Sequence, residues 1–190
     1  MVKLGFIGEG AVEKIILESS QFQEYLHSQK IDFVKDVIDA NGNGNLLPHN
    51  IEAHSQILKD KGATNIIILT DLDEDQCITL TKERINPSDY HSVVVSIKEI
   101  EAWFLADEEA MKKLLKDDGH SIENPETVQE PFERIRSLRM EKIGRGIGTK
   151  VILANQMIYK NNFSVLGAAA HLNCASARYF IQKINDISKS

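Results

Sequence analysis

Apolar runs alternate with helical periodicity through the first two thirds of the chain. Lys3–Gly8 is a short apolar run ending in Gly8-Glu9-Gly10, and it predicts a buried strand followed by a turn. Val12, Ile15, Ile16, Ser19, Phe22 and Leu26 then recur at helical spacing, so one amphipathic helix is expected over about Ala11–Ser28. Ile31–Ile38 is β-branched and apolar enough for a second strand. The Asn/Gly run Asn41–Asn45 predicts a loop, and Asn50 is a suitable cap for a helix that Gly62 would stop. Asn65–Thr70 carries the strongest strand signal, a continuous apolar run of the kind covered on both faces in parallel sheets. Asp71-Leu72-Asp73-Glu74-Asp75 follows it. A helix over about Gln76–Ile85 must end by Asn86-Pro87, and His91–Ile97 predicts a fourth strand. Glu99–Ala106 and Glu108–Leu115 read as helices, with Asp107 as a cap between them.

Alternation of this kind predicts an α/β domain over residues 1–118, a Rossmann-like, mainly parallel four-stranded sheet flanked by helices. The texture changes after Gly119. His120–Pro131 is polar, holds two prolines and predicts a loop. Helices are expected at about Phe132–Met140, Val151–Tyr159, Phe163–His171 and Cys174–Ile187. Residues 119–190 thus read as a helical extension packed on the same domain, with Asp186–Ser190 expected to fray.

Composition changes this picture little, and charge changes it locally. The formal net charge is −6, which does not by itself suggest a nucleic-acid binder. Residues 99–130 are strongly acidic. The next stretch instead carries Arg134, Arg136, Arg139, Lys142, Arg145 and Lys150 against Glu133 and Glu141. Such a run is usually a solvated helix face, and a phosphate contact is the alternative. Cys77 and Cys174 imply no disulfide framework, and with no signal-peptide pattern and no membrane-length apolar run a cytoplasmic protein is expected.

The candidate chemistry lies at the strand ends, where ligands of parallel sheets bind. Glu9 follows the first strand, and Asp71 and Asp73 follow the third. If those strands are neighbours, three carboxylates meet at one edge, and Mg²⁺ or Mn²⁺ would relieve their repulsion. Asp73, Glu74 and Asp75 would serve as well as acids at a helix start. Glu9, between two glycines, has less structural reason to be there, and the glycines allow close approach to the backbone. Glu13, one turn on, and Asp75 are expected to support the site. Glu99 is a possible extra ligand and Glu101 a supporting group; in a helix the two would point about 200° apart, so only one could face the site. Trp103 and Phe104 are expected in the core. Gly144–Lys150 looks superficially like a phosphate loop, but its order is Thr149-Lys150 and no strand precedes it.

Gly-Glu-Gly between a strand and a helix, followed by a later strand ending in Asp-x-Asp, resembles the Toprim fold of topoisomerases, primases and certain nucleases. The resemblance implies an acid–base or metal-binding role for Glu9 and Mg²⁺ binding by Asp71 and Asp73. The segment Lys98-Glu99-Ile100-Glu101-Ala102-Trp103-Phe104-Leu105-Ala106-Asp107 resembles an uncharacterised bacterial Toprim-like family often encoded beside ATPases in neighbourhoods suggestive of phage defence. Asn173–Phe180 resembles the end of that family. The chain departs from the Toprim pattern at Val12, where a hydroxyl residue is usual.

The expected function is therefore a Mg²⁺- or Mn²⁺-dependent nuclease acting on DNA or RNA, with Lys150 or an arginine of 134–145 neutralising the transition-state phosphate. The alternative is a non-catalytic Toprim-like subunit that binds an ATPase. A phosphatase of the haloacid-dehalogenase type fits less well, because its Asp-x-Asp follows the first strand.

Overall fold

In the computed structural model, which describes residues 2–73, 75–88 and 91–189, the chain divides into two compact units. The first comprises Met1–Val95 with Gln182–Ser190, and the second Ser96–Ile181. The sequence had suggested a division after residue 118.

The first unit is a mixed α/β structure whose sheet has five strands. These are β1 (Val2–Gly8), β2 (Ile31–Phe33), β3 (Ile38–Asp39), β4 (Asn65–Asp71) and β5 (His91–Ser96). The order is β2-β1-β4-β5, with β3 also on β1. The pairings of β1 with β2, β3 and β4 are parallel. Ile7 pairs with Ile38 on one edge of β1 and with Ile68 on the other, so β2 and β3 share an edge. The fifth strand is thus a correction of the expected four: the predicted Ile31–Ile38 strand is interrupted after Val34, whose N–H still donates to the Leu4 carbonyl at 2.9 Å.

The first predicted helix also divides, into α1 (Ala11–Leu17) and α2 (Ser20–Ser28). Ser19 is the cause. Its hydroxyl donates to the Ile16 carbonyl at 2.7 Å and accepts from the Phe22 N–H at 3.3 Å, ending one helix and capping the next. Phe22 and Leu26 are nevertheless buried as the periodicity requires. Helix α3 (Pro48–Asp60) starts at its proline rather than from an Asn50 cap, because proline gives up only an N–H that no helix start uses. Helix α4 (Ile78–Ile85) ends at Asn86, which takes the left-handed conformation. Ile7, Ile51, Leu58, Ile66, Ile68, Val93 and Val95 build a shared core.

The second unit is helical. It holds α5 (Glu101–Ala106), α6 (Glu108–Leu115), α7 (Pro131–Ile143), α8 (Lys150–Asn161), α9 (Val165–Ala170) and the first half of α10 (Ala175–Ile187). Helices α5 and α6 bury their apolar faces against α7, α8 and α9, which is why they group with the later helices. Trp103 is fully buried against Phe180 and donates its indole N–H to Ser176 at 2.8 Å. Phe104 meets Phe163 edge-on at 4.8 Å. Asp107 accepts from the Ala110 N–H at 3.1 Å, the cap the sequence predicted. Among the described residues, no helix is long and apolar enough to cross a membrane.

Candidate functional site

The register of β1 against β4 places the predicted acids. Gly8 is opposite Leu69, so the chain leaves β1 at Glu9 just as β4 reaches Thr70 and Asp71. Glu9 is clamped through its backbone from both sides. Its N–H donates to the Leu69 carbonyl at 2.9 Å, and its carbonyl accepts from the Gly42 N–H at 2.8 Å. Its carboxylate then turns back over β4. Oε2 accepts the Thr70 hydroxyl at 2.6 Å and the Asp71 N–H at 3.0 Å. The first distance lies at the short end of the range for a hydroxyl donating to oxygen. Asp71 itself is only 7% exposed. Glu9 and Asp71 therefore share one end of two neighbouring strands.

Asp73 stands two residues beyond β4 in a left-handed conformation, φ 46°, which Asp tolerates better than most residues. Its Oδ2 accepts from the Asn43 side-chain amide at 2.8 Å. Asn43 opens a short 3-10 turn, Asn43–Asn45. Arg84, on α4, donates to the Asn43 carbonyl at 3.1 Å and to Asp75 Oδ2 at 3.2 Å. Asp75 also accepts the Thr81 hydroxyl at 2.8 Å, and that bond, more than the Arg84 guanidinium, holds its carboxyl below the ordinary range. Asp75 thus fixes the start of α4. Glu74 lies outside the described residues.

Glu13 is buried on the same edge, and its Oε2 accepts the Gly10 N–H at 3.0 Å. This is the reciprocal half of a helix-start capping box. The close approach allowed by Gly8 is explained here: a Cβ on Gly8 would lie 2.9 Å from the Glu13 Cβ.

The remaining predicted residues lie in the second unit and form a cluster of their own. Lys150 Nζ is 2.8 Å from Glu99 Oε1 and 3.4 Å from Glu101 Oε2. The two acids were expected to diverge by a helical angle. They converge because Glu99 precedes the first turn of α5, where the helical rotation does not apply. Glu99 Oε2 also accepts, at 3.4 Å, from the Phe132 N–H. Glu101 is 0% exposed, and neither carboxylate oxygen makes a hydrogen bond among the described residues. Burial drives its pKa up to about 7 despite the opposing Lys150 ammonium.

Sequence reasoning missed four residues that build the first site: Thr70, Asn43, Thr81 and Arg84. Thr70 left a signal, a single hydroxyl at the end of an otherwise apolar strand. Asn43 and Arg84 left none, being 41 residues apart. Among the described residues, no three His, Cys, Asp or Glu side chains are grouped to hold a metal ion. The donor set at the strand ends is two carboxylates, Glu9 and Asp71. Two carboxylates with waters or substrate oxygens suffice for Mg²⁺. Comparison of the chain with protein-family models, with curated proteins and with solved structures finds no match.

Proposed function

We propose that the chain is a Toprim-like nuclease that uses Mg²⁺ or Mn²⁺ at the Glu9–Asp71 edge. The observation that carries this reading is the Glu9 carboxylate resting on the Asp71 N–H at 3.0 Å across 62 positions of sequence. Two acids far apart in the chain thereby share the strand ends where parallel sheets bind ligands. The order of Gly8-Glu9-Gly10 before Asp71-Leu72-Asp73 adds the motif support.

Glu9 and Asp71 would hold the cation, with Asp73 kept to the Asn43 side. A bound divalent cation lowers the pKa of water and offsets charge on a leaving oxygen. The protein's part is orientation. Thr70 and the Asp71 N–H occupy Glu9 Oε2, which leaves Oε1 for the ligand or for a water proton. Lys150 already faces Glu99 and Glu101, so we assign it no role in neutralising the phosphate.

A second reading is a metal-free interaction subunit of an ATPase. It is favoured by Glu9 acting as a brace between β1 and β4, a role needing no ligand. Calorimetry with Mn²⁺ and cleavage of DNA and RNA decide between them, using wild type and Asp71→Asn with Mn²⁺, Mg²⁺ or EDTA, with and without an adjacently encoded ATPase. The nuclease reading expects one cation-binding event and metal-dependent cleavage, both lost in Asp71→Asn. Wild type that binds no cation and cuts nothing in any of these mixtures would favour the interaction reading.

A further inference from the structure

The second unit gathers positive charge in a way the linear sequence does not show. A cleft of about 500 Å³ opens between α6, α7 and α8. Lys113, Lys116, Arg139, Arg145 and Lys160 line it. These cations come from three separate stretches of an acidic chain. No carboxylate and no aromatic ring is among the lining residues; Leu114 and Ile143 supply the apolar floor.

None of the five forms an ion pair with a carboxylate among the described residues. Asp117, the neighbour of Lys116, is paired at 3.0 Å with Lys142 instead. Lys113 feels Asp107 and Glu109 only through space. Arg139 is the informative member. It donates from Nη1 to the Gly146 carbonyl at 2.9 Å, while its buried Nε has no partner among the described residues. A buried guanidinium N–H without an acceptor carries a desolvation cost.

Helix ends offer a simpler reason for cations here, since Lys116, Gly144 and Asn162 cap the carboxyl ends of α6, α7 and α8. The magnitudes decide against that reason alone. Each helix end is equivalent to about −0.5 elementary charge, so three supply about −1.5. Five side chains supply +5. The helix ends alone therefore offset less than half of that charge.

We propose that this cleft binds the phosphodiester backbone of a nucleic-acid strand, without reading its bases. The cations match phosphate oxygens, and the lack of aromatic rings removes the usual platform for base stacking. The cleft names a substrate contact for the nuclease reading, but it stands on different residues and needs no metal.

The test is fluorescence anisotropy of the full chain with a labelled mixed-sequence single-stranded DNA 20-mer, in EDTA, across a salt series. EDTA removes any contribution from a cation at Glu9 and Asp71, so failure here is separable from failure of the cation site. The triple variant Lys113→Gln/Arg145→Gln/Lys160→Gln changes exposed side chains only, and matching far-ultraviolet circular dichroism confirms its fold. It should bind roughly tenfold more weakly, with a log–log salt slope shallower by about 2, from about 0.7 per lost phosphate contact. Arg134→Gln/Arg136→Gln, on α7 but outside the cleft, should bind as wild type does. Equal losses in both variants would overturn the proposal in favour of diffuse attraction to the basic stretch. No binding by wild type at low salt would overturn it outright. Competition by inorganic phosphate as effective, per phosphate, as unlabelled strand would reassign the cleft to free phosphate groups.

Discussion

Glu9 and Glu101 are the same residue type at the boundaries of secondary-structure elements, and the protein treats them oppositely. Glu9 sits at the end of a strand, half-buried, with a hydroxyl and a backbone N–H on one oxygen. Glu101 opens a helix, fully buried, with a lysine 3.4 Å from one oxygen and no hydrogen bond on either. At Glu101 full burial raises the pKa, and even an ammonium 3.4 Å away does not offset it. The first arrangement ties the end of one strand to the next. The second holds a proton near neutral pH.

The strongest way to sharpen this contrast is Glu101→Gln. The Glu101 pKa in the fold is about 7 against an ordinary 4.5. The folded state therefore binds a proton that the unfolded chain has lost between those values. Stability falls as pH rises through that window, and the penalty is complete above 7. At 1.36 kcal/mol per pKa unit, the penalty is roughly 3 kcal/mol at pH 8. Glu101→Gln should be more stable than wild type by about that much at pH 8 and nearly equal at pH 4.5. Urea unfolding at several pH values measures it; an unchanged pH slope would mean that Glu101 does not titrate in this range.

Thr70→Val probes the other side of the comparison. It keeps the shape of a buried strand residue and removes the donor to Glu9. A hydrogen bond to a charged group is worth about 1.5–3 kcal/mol, and partial exposure of Glu9 lowers the expected loss to about 1–2 kcal/mol. Thr70→Ser should restore most of it. If Thr70→Val unfolds at the wild-type urea midpoint, the brace on Glu9 contributes nothing.

The sequence was most legible where burial is continuous. Ile66–Leu69 and Leu4–Ile7 are apolar on both faces, so β1, β4 and the position of Glu9 and Asp71 just beyond them follow from the pattern. It was least legible where one polar group overrides a period. Ser19 falls on the buried stripe of a regular helical pattern, and only its two hydrogen bonds reveal that it divides the helix. The second strand is interrupted where Val34 and Val37 are both buried, which strict alternation along one strand would not give. Glu101 was read as a supporting group because in a helix it would point about 200° away from Glu99, so that only one of the two could face the site. Its burial follows from the packing of α5 against α7 and α9, which no local spacing reveals. The basic cleft was half visible: Arg139 and Arg145 stood in a recognised run, while Lys113, Lys116 and Lys160 join them only through the packing of three helices.

Arg84→Gln tests the weakest link in the comparison, the loop that carries Asp73. Arg84 ties Asn43 to Asp75, and Asn43 in turn holds Asp73. The Arg84–Asp75 pair is about one third exposed on each side, so its loss should cost only about 0.5 kcal/mol. The pH sign is opposite to that of Glu101. Asp75 is held below its ordinary 3.8, first by Thr81 and then by Arg84. Its contribution is present above 3.8 and disappears as pH falls through the lower folded value. Arg84→Gln should therefore remove part of the acid sensitivity below pH 4 and leave the decline toward pH 7 unchanged. Thr81→Val, which removes the larger cause, should remove more of it. Urea midpoints at pH 3, 4 and 7 for the two variants give the order. A larger acid effect from Arg84→Gln than from Thr81→Val would mean that the ion pair, not the hydroxyl, holds Asp75 charged.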